Sequence, residues 1–130
     1  MKTSNTEVKD NLSLVYYSKT RKTERFVEKV TEVIDIQTKT LSEYQSGKYI
    51  LITPTYNFGE VPEEVNAFLE KHNKDMIAVM SAGNRNWGQN FAKSGETISK
   101  KYNVELIGKF EMMGTQSDVE KLVNYIKQLE

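Results

Sequence analysis

Between Tyr49 and Pro62 the chain reads Tyr-Ile-Leu-Ile-Thr-Pro-Thr-Tyr-Asn-Phe-Gly-Glu-Val-Pro, an apolar run that breaks suddenly into small, aromatic and glycine residues. Residues 49–52 are too few for a helix and too uniformly apolar for a strand with one wet face. They predict a strand inside a sheet covered on both sides. Such sheets bind ligands where their strands end, so the residues after Thr53 form a candidate binding loop.

The flanking sequence sets the limits on what such a sheet can serve. With 130 residues the chain can form one domain that buries roughly two-thirds of its unfolded surface. We expect residues 1–11, polar and without an apolar core, to be a flexible N-terminal segment, and residues 12–130 to be the single domain. Nothing in that start resembles a signal peptide or a membrane span. Eighteen acidic residues balance eighteen basic ones, so no global field favours nucleic acid or an anionic membrane, and any anion site must be local. The absence of cysteine excludes disulfides, thiolate metal sites and a cysteine nucleophile, and a single histidine argues against zinc. These features predict a cytoplasmic protein with no metal, no nucleic-acid partner and no membrane partner, and a monomer is expected because no long exposed apolar stripe calls for a second copy.

The first strand is predicted at 12–17, followed by Ser18-Lys19-Thr20-Arg21-Lys22-Thr23, three hydroxyls and three cations. Phe26, Val27, Val30, Val33 and Ile34 recur at helical spacing and predict a helix over 22–33. A short second strand is expected at 34–36, with 38–47 a polar loop, and the doubly buried strand at 48–53. Pro62 suits the first position of a helix that carries Glu63 and Glu64 in its first turn and ends near His72, which is expected to cap it. Residues 76–80 form another buried strand, running into Ser81-Ala82-Gly83-Asn84-Arg85-Asn86-Trp87-Gly88. A helix follows over 89–102, interrupted in pattern by Gly95. The last strand is expected at 105–112 and the last helix at 115–129, capped by Thr115 or Ser117. This alternation implies an α/β fold: a flavodoxin-like three-layer sandwich whose five-stranded parallel sheet has the order 2-1-3-4-5, with helices on both faces.

In that order the switch point brings the Ser18 loop to the Thr55 loop, with the Trp87 loop beside them. Hydroxyls and free amides at a helix start suit a phosphate, and Ser18, Thr20 and Thr23 add donors while Arg21 and Lys22 add charge. The competing reading is an ordinary N-cap with solvated lysines. Tyr56, Phe58 and Trp87 lie in loops, where they either stack on something flat or fold back as lids on the core. Gly59, Gly83 and Gly88 allow close backbone approach to a ligand. Together these point to a phosphorylated planar cofactor, for which flavin mononucleotide (FMN) fits best. Asp35 and Glu111 fall on opposite edges of the sheet, so no carboxylate pair is available for acid–base catalysis, and no catalytic side chain is assigned.

Three segments carry a more specific likeness: residues 53–62, residues 81–88 with Asn90-Phe91-Ala92, and Phe110-Glu111-Met112-Met113-Gly114-Thr115. In these the chain resembles the NrdI family, small flavodoxin-like FMN proteins that work beside class Ib ribonucleotide reductase. The resemblance implies a redox flavoprotein, acting as an accessory protein, that receives electrons from a reductase or flavodoxin reductase. Once reduced it would react with dioxygen and pass superoxide to the small subunit, where the radical cofactor is assembled. It also implies that Ser18, Thr20 and Thr23, with the Arg21 and Lys22 amides, hold the phosphate. Asn57, Phe58 and Gly59 would border the reactive edge of the ring, and Asn84 and Trp87 would flank it. Thr55, Tyr56, Ala82, Gly83, Gly88 and Met113 complete the predicted binding set.

One position departs from the family pattern. Many relatives carry Gly-Asn where this chain has Arg21-Lys22, and arginine resists a positive φ that glycine accepts, by about 1 kcal/mol. Either the loop follows another path, or the two cations offset the strain by meeting the phosphate. Two other functions remain compatible with the residues: a general flavodoxin-type electron carrier, and a flavin-free binding protein of the same fold.

Overall fold

The structure is a computed structural model that describes residues 12–56 and 59–129. The predicted N-terminal segment and the site candidates Asn57 and Phe58 lie outside the described residues. Five parallel strands, β1 (Leu12–Tyr16), β2 (Gln37–Thr40), β3 (Lys48–Thr53), β4 (Met76–Gly83) and β5 (Glu105–Glu111), form one sheet. Its order is β2-β1-β3-β4-β5. Among the described residues four α-helices connect or follow them: α1 (Lys22–Thr31), α2 (Glu63–His72), α3 (Lys93–Tyr102) and α4 (Gln116–Gln128). This is the predicted flavodoxin-like three-layer arrangement.

The strand pleat sorts the core into two halves. Leu12, Leu14, Ile50, Ile52, Ala78 and Met80 point to one face, where α1 and α4 cover them with Phe26, Val30, Leu122 and Ile126. Val15, Tyr49, Leu51 and Val79 point to the other, against Val65, Phe68 and Leu69 of α2 and Ile98 of α3. Residues 49–53 are all buried, which is why the central run shows no alternation in sequence.

Where the elements differ from expectation, the cause is tertiary. The second strand is Gln37–Thr40, not 34–36: it exists because its backbone pairs with β1, Ser13 opposite Gln37 through Tyr16 opposite Thr40. Ile34 and Ile36 are instead buried in the connection that leads to it. A polar edge strand also resists pairing with another chain. Helix α1 ends at Thr31, so Val33 is exposed rather than inward-facing. Strand β4 continues three residues past the predicted end because Ser81, Ala82 and Gly83 pair with Lys109, Phe110 and Glu111. The helix predicted at 89–102 is two pieces, a 3-10 segment Arg85–Asn90 and α3, separated by left-handed Ala92 (φ 49, ψ 34).

The helix ends show which local signals operate. Thr115 caps α4 in a reciprocal box: its hydroxyl accepts from the Asp118 amide at 3.2 Å, and the Asp118 carboxylate accepts from the Thr115 amide at 2.8 Å. Pro62 stands just before α2 rather than inside it, its carbonyl accepting from the Val65 and Asn66 amides. At the other end of α2, Asn73 is the capping residue, donating to the Leu69 carbonyl at 2.7 Å. The His72 ring packs against Tyr44 and Phe68 instead.

Candidate functional site

A cleft of about 390 Å³ opens where β1, β3 and β4 end, in the size range of small-ligand sites. The β1–α1 loop contributes Lys19 and Thr20, the start of α1 Lys22 and Thr23, the β3 loop Pro54, Thr55 and Tyr56, and the β4 end with the turn after it Ala82, Gly83, Asn84 and Trp87. The three predicted loops therefore meet. Asn86, Asn90, Ala92 and Glu111 also line the cleft and are absent from the predicted binding set, although each lies within one of the three recognised segments; Met112 lines it too, as expected from the sequence position of Met112-Met113 at the ligand edge of the sheet.

Arg21, the residue just before α1, makes no side-chain capping bond to the helix start. Ser18 does not line the cleft; its hydroxyl accepts from the Glu24 amide at 3.3 Å, leaving the Lys22 and Thr23 amides at the open end of the helix. Arg21 adopts φ 71, ψ −2, so the loop takes the left-handed turn that favours glycine rather than another path. Its side chain turns away to Glu24 at 3.5 Å, and Lys22 is the cation of the pair that lines the cleft.

The second and third loops are locked together by hydroxyls. Ser94, fully buried, donates to the Pro54 carbonyl at 2.9 Å. Its single proton is thereby used, so in the 2.7 Å contact between the two hydroxyls Thr55 is the donor. Thr55 also accepts from the Ser94 amide at 3.2 Å. Just before α3, the Ala92 carbonyl accepts from the Ser81 hydroxyl of β4 at 2.6 Å. Gly83 serves this same junction: a Cβ there would lie 2.4 Å from the Ala92 amide nitrogen, so its close approach is to protein backbone.

The β3 loop closes on itself through the Tyr56 amide to the Glu60 carbonyl (2.9 Å) and the return bond from Glu60 to Tyr56 (2.7 Å). Gly59 permits this turn at φ 98 and borders a second cleft beside Tyr56 rather than the first. The Tyr56 ring meets the Tyr17 ring edge-on at 6.5 Å, and the Lys19 ammonium lies 5.8 Å from its centroid. Among the described residues, the Tyr56 hydroxyl is the buried side-chain polar atom that finds no hydrogen-bond partner. Burial, and next the Glu64 carboxylate, push the Tyr17 phenol above its ordinary range.

Trp87 is 45 % exposed at the cleft wall, on a 3-10 turn whose start is fixed by the Asn84 side chain accepting from the Asn86 amide at 2.8 Å. It is therefore not folded into the core. Gly88, at φ 56 and ψ −119, provides the kink after it and lies outside the lining, as does Met113. The Glu111 carboxylate is held by Arg85, accepting from its guanidinium at 3.3 Å and its amide at 3.1 Å. Its charge is thus partly matched, and Lys19 and Lys22 give the opposite side of the cleft a positive character.

This arrangement has counterparts. The family model described as NrdI flavodoxin-like matches residues 14–124. The chain belongs to the NrdI family. Among curated NrdI proteins, that of Macrococcus caseolyticus is 43 % identical over 108 residues, covering 83 % of both chains. That of Bacillus licheniformis is 42 % identical over 118 residues, covering 91 % of this chain and 89 % of the relative. Solved structures extend the likeness at the level of fold. Oxidised flavodoxin 1 from Bacillus cereus superposes with a TM-score of 0.65 at 15 % identity, covering 90 % of this chain and 95 % of the other. A Fusobacterium nucleatum flavodoxin bound to flavin mononucleotide gives 0.57 at 15 % identity, covering 91 % and 95 %. No helix among the described residues is long and apolar enough to cross a membrane.

Proposed function

We propose that this NrdI-family chain binds FMN in the cleft and, when reduced, reacts with dioxygen and delivers superoxide to the small subunit of a class Ib ribonucleotide reductase. The observation that carries the reading is the meeting of the α1 start, with its open Lys22 and Thr23 amides, with the β3 and β4 loops in one cleft, in a chain of this family. Thr20, Thr23, Lys22 and the amides that open α1 hold the phosphate, because hydrogen-bond donors and a cation face the same open helix end. Ala82, Gly83 and Asn84 form the base of the cleft, while Tyr56 and Trp87 supply flat walls. The Tyr56 hydroxyl is an available donor at the boundary of the two clefts. Glu60 and Trp87 lie on the surface that meets the partner. Bound FMN supplies one-electron reduction of dioxygen, and the protein supplies position and electrostatics. A reductase provides the electrons, and the protein acts as a cytoplasmic monomer.

Anaerobic titration with dithionite, followed by air with and without a class Ib small subunit, tests the reading. A flavin spectrum that bleaches, and a tyrosyl radical that forms in the small subunit only when the reduced protein is present, would support it. A bound flavin that activates nothing would favour a general electron carrier, and the absence of a flavin spectrum would refute FMN binding. The role of Lys22 has its own test: tighter FMN binding by Arg21→Gly, Lys22→Asn would show that these cations do not hold the phosphate.

A further inference from the structure

The four described methionines divide sharply. Met76 and Met80 are core residues, 4 % and 0 % exposed, whereas Met112 and Met113 are 58 % and 39 % exposed in the turn between β5 and α4. Met112 also carries φ 57, a left-handed conformation that side chains resist. It is thus an apolar residue both exposed and strained, at the first corner of the turn that the Gly114 amide closes on the Glu111 carbonyl at 2.9 Å, a position that does not call for an apolar side chain. Its location offers a reason: Met112 lines the cleft with Trp87, Asn84 and Lys22, and Met113 does not.

We propose that Met112 is a modification site: hydrogen peroxide arising at the cleft oxidises its thioether to the sulfoxide, and the sulfoxide weakens binding of the flavin there. In the step, the sulfur attacks one peroxide oxygen. The S–O bond forms as the O–O bond breaks, sulfur gives up two electrons, and the departing oxygen takes the remaining proton and leaves as water. Two superoxide ions and two protons yield the peroxide together with one dioxygen. The source of oxidant therefore rests on the function proposed above, while the reactivity of Met112 rests on its own exposure. Oxidation turns a flexible apolar part of the cleft wall into a polar, chiral one beside the Glu111 carboxylate, and the site loses apolar cover. Oxidation at Met112 would limit flavin occupancy when oxidant is made faster than the partner consumes it.

Hydrogen peroxide alone is added to FMN-free wild-type protein and to the Met112→Leu variant. Peptide mass spectrometry locates the added oxygen, and FMN affinity is measured by fluorescence quenching before and after treatment. The expected result is oxidation of Met112 many-fold faster than Met76 and Met80, with a several-fold loss of FMN affinity on treatment of wild type and none on treatment of Met112→Leu, in which Met113 remains as a control. Equal oxidation of the core and cleft methionines would overturn the proposal, as would the same treatment-induced loss of affinity in Met112→Leu. Failure of the untreated protein to take up FMN is the separate failure of the flavin reading; the oxidation map then decides the modification site by itself.

Discussion

Replacing Gly95 by alanine sets two physical effects against each other. In a helix interior the change is normally favourable by about 1 kcal/mol, because glycine loses more backbone freedom on folding. Here α3 lies so close to the sheet that the added Cβ would be 2.3 Å from the Ser81 hydroxyl and 2.9 Å from both Ser81 Cβ and Leu106 Cδ1. Turning Ser81 aside breaks its bond to the buried Ala92 carbonyl, at a cost of roughly 1–3 kcal/mol for the unsatisfied group. Lifting the helix instead incurs a similar overpacking cost of about 1–3 kcal/mol. Contact with Ser81 Cβ and Leu106 persists even after the hydroxyl moves, so both contributions operate and outweigh propensity, for a net loss of about 1–5 kcal/mol. Urea unfolding measures it: with a slope of roughly 2 kcal/mol/M the midpoint falls by about 0.5–2.5 M at unchanged slope. Ser81→Ala added to Gly95→Ala should cost less than the two separate changes combined, since it removes the nearest clash. A Gly95→Ala protein as stable as wild type, or more so, would refute the assignment of Gly95 to close helix–sheet contact.

Three further outcomes follow from named contacts. Ser94→Ala should cost about 1–3 kcal/mol in urea unfolding, because the Thr55 hydroxyl loses its acceptor and the Pro54 carbonyl one of its donors. It should also expose the Thr55 amide region to faster hydrogen exchange, with the amides of β3 unchanged. Thr115→Ala, by removing half of the capping box, should lower stability by about 1 kcal/mol, while Ser117→Ala, one residue inside the helix, should change it little. Lys109 donates to Glu96 and holds its carboxyl below the ordinary 4.5, against the opposing effect of burial. A lowered folded value means that the pair's contribution is complete above that ordinary pH and is lost as pH falls through the folded value. Glu96→Gln should accordingly cost about 0.2–1 kcal/mol at neutral pH and nothing in acid strong enough to protonate Glu96 in the folded chain, as thermal melts across pH would show.

Much of the architecture was legible because burial on two faces and burial on one leave different periodicities. The unbroken run before Thr53 identified β3, and the 3.6-residue spacing of Val119, Leu122, Val123 and Ile126 identified α4, while its cap, open between Thr115 and Ser117 in sequence, is Thr115 in the structure. The parallel order followed from alternation of strand and helix, and with it the meeting of the Thr20, Thr55 and Trp87 loops. Strand β2 was displaced in the sequence reading because its four residues are polar and their strand state comes from hydrogen bonds to β1, a partner distant in sequence. The split between the Arg85–Asn90 turn and α3 was hidden for a related reason: Ala92 has no local signature of a left-handed residue, and the Ser81 and Ser94 hydroxyls around it act across the fold.

The sequence by itself determined the burial pattern, the strand–helix order, the family and the chemical character of three loops, because these are properties of neighbouring residues. Tertiary structure decided how the loop residues are used. It turned Arg21 away to Glu24 and left Lys22 at the cleft, assigned Gly83 to the Ala92 backbone, coupled Thr55 to Ser94, and brought Met112 rather than Met113 to the wall. These depend on which atoms from separate segments come within a few ångströms, and residue spacing along the chain carries no record of that distance.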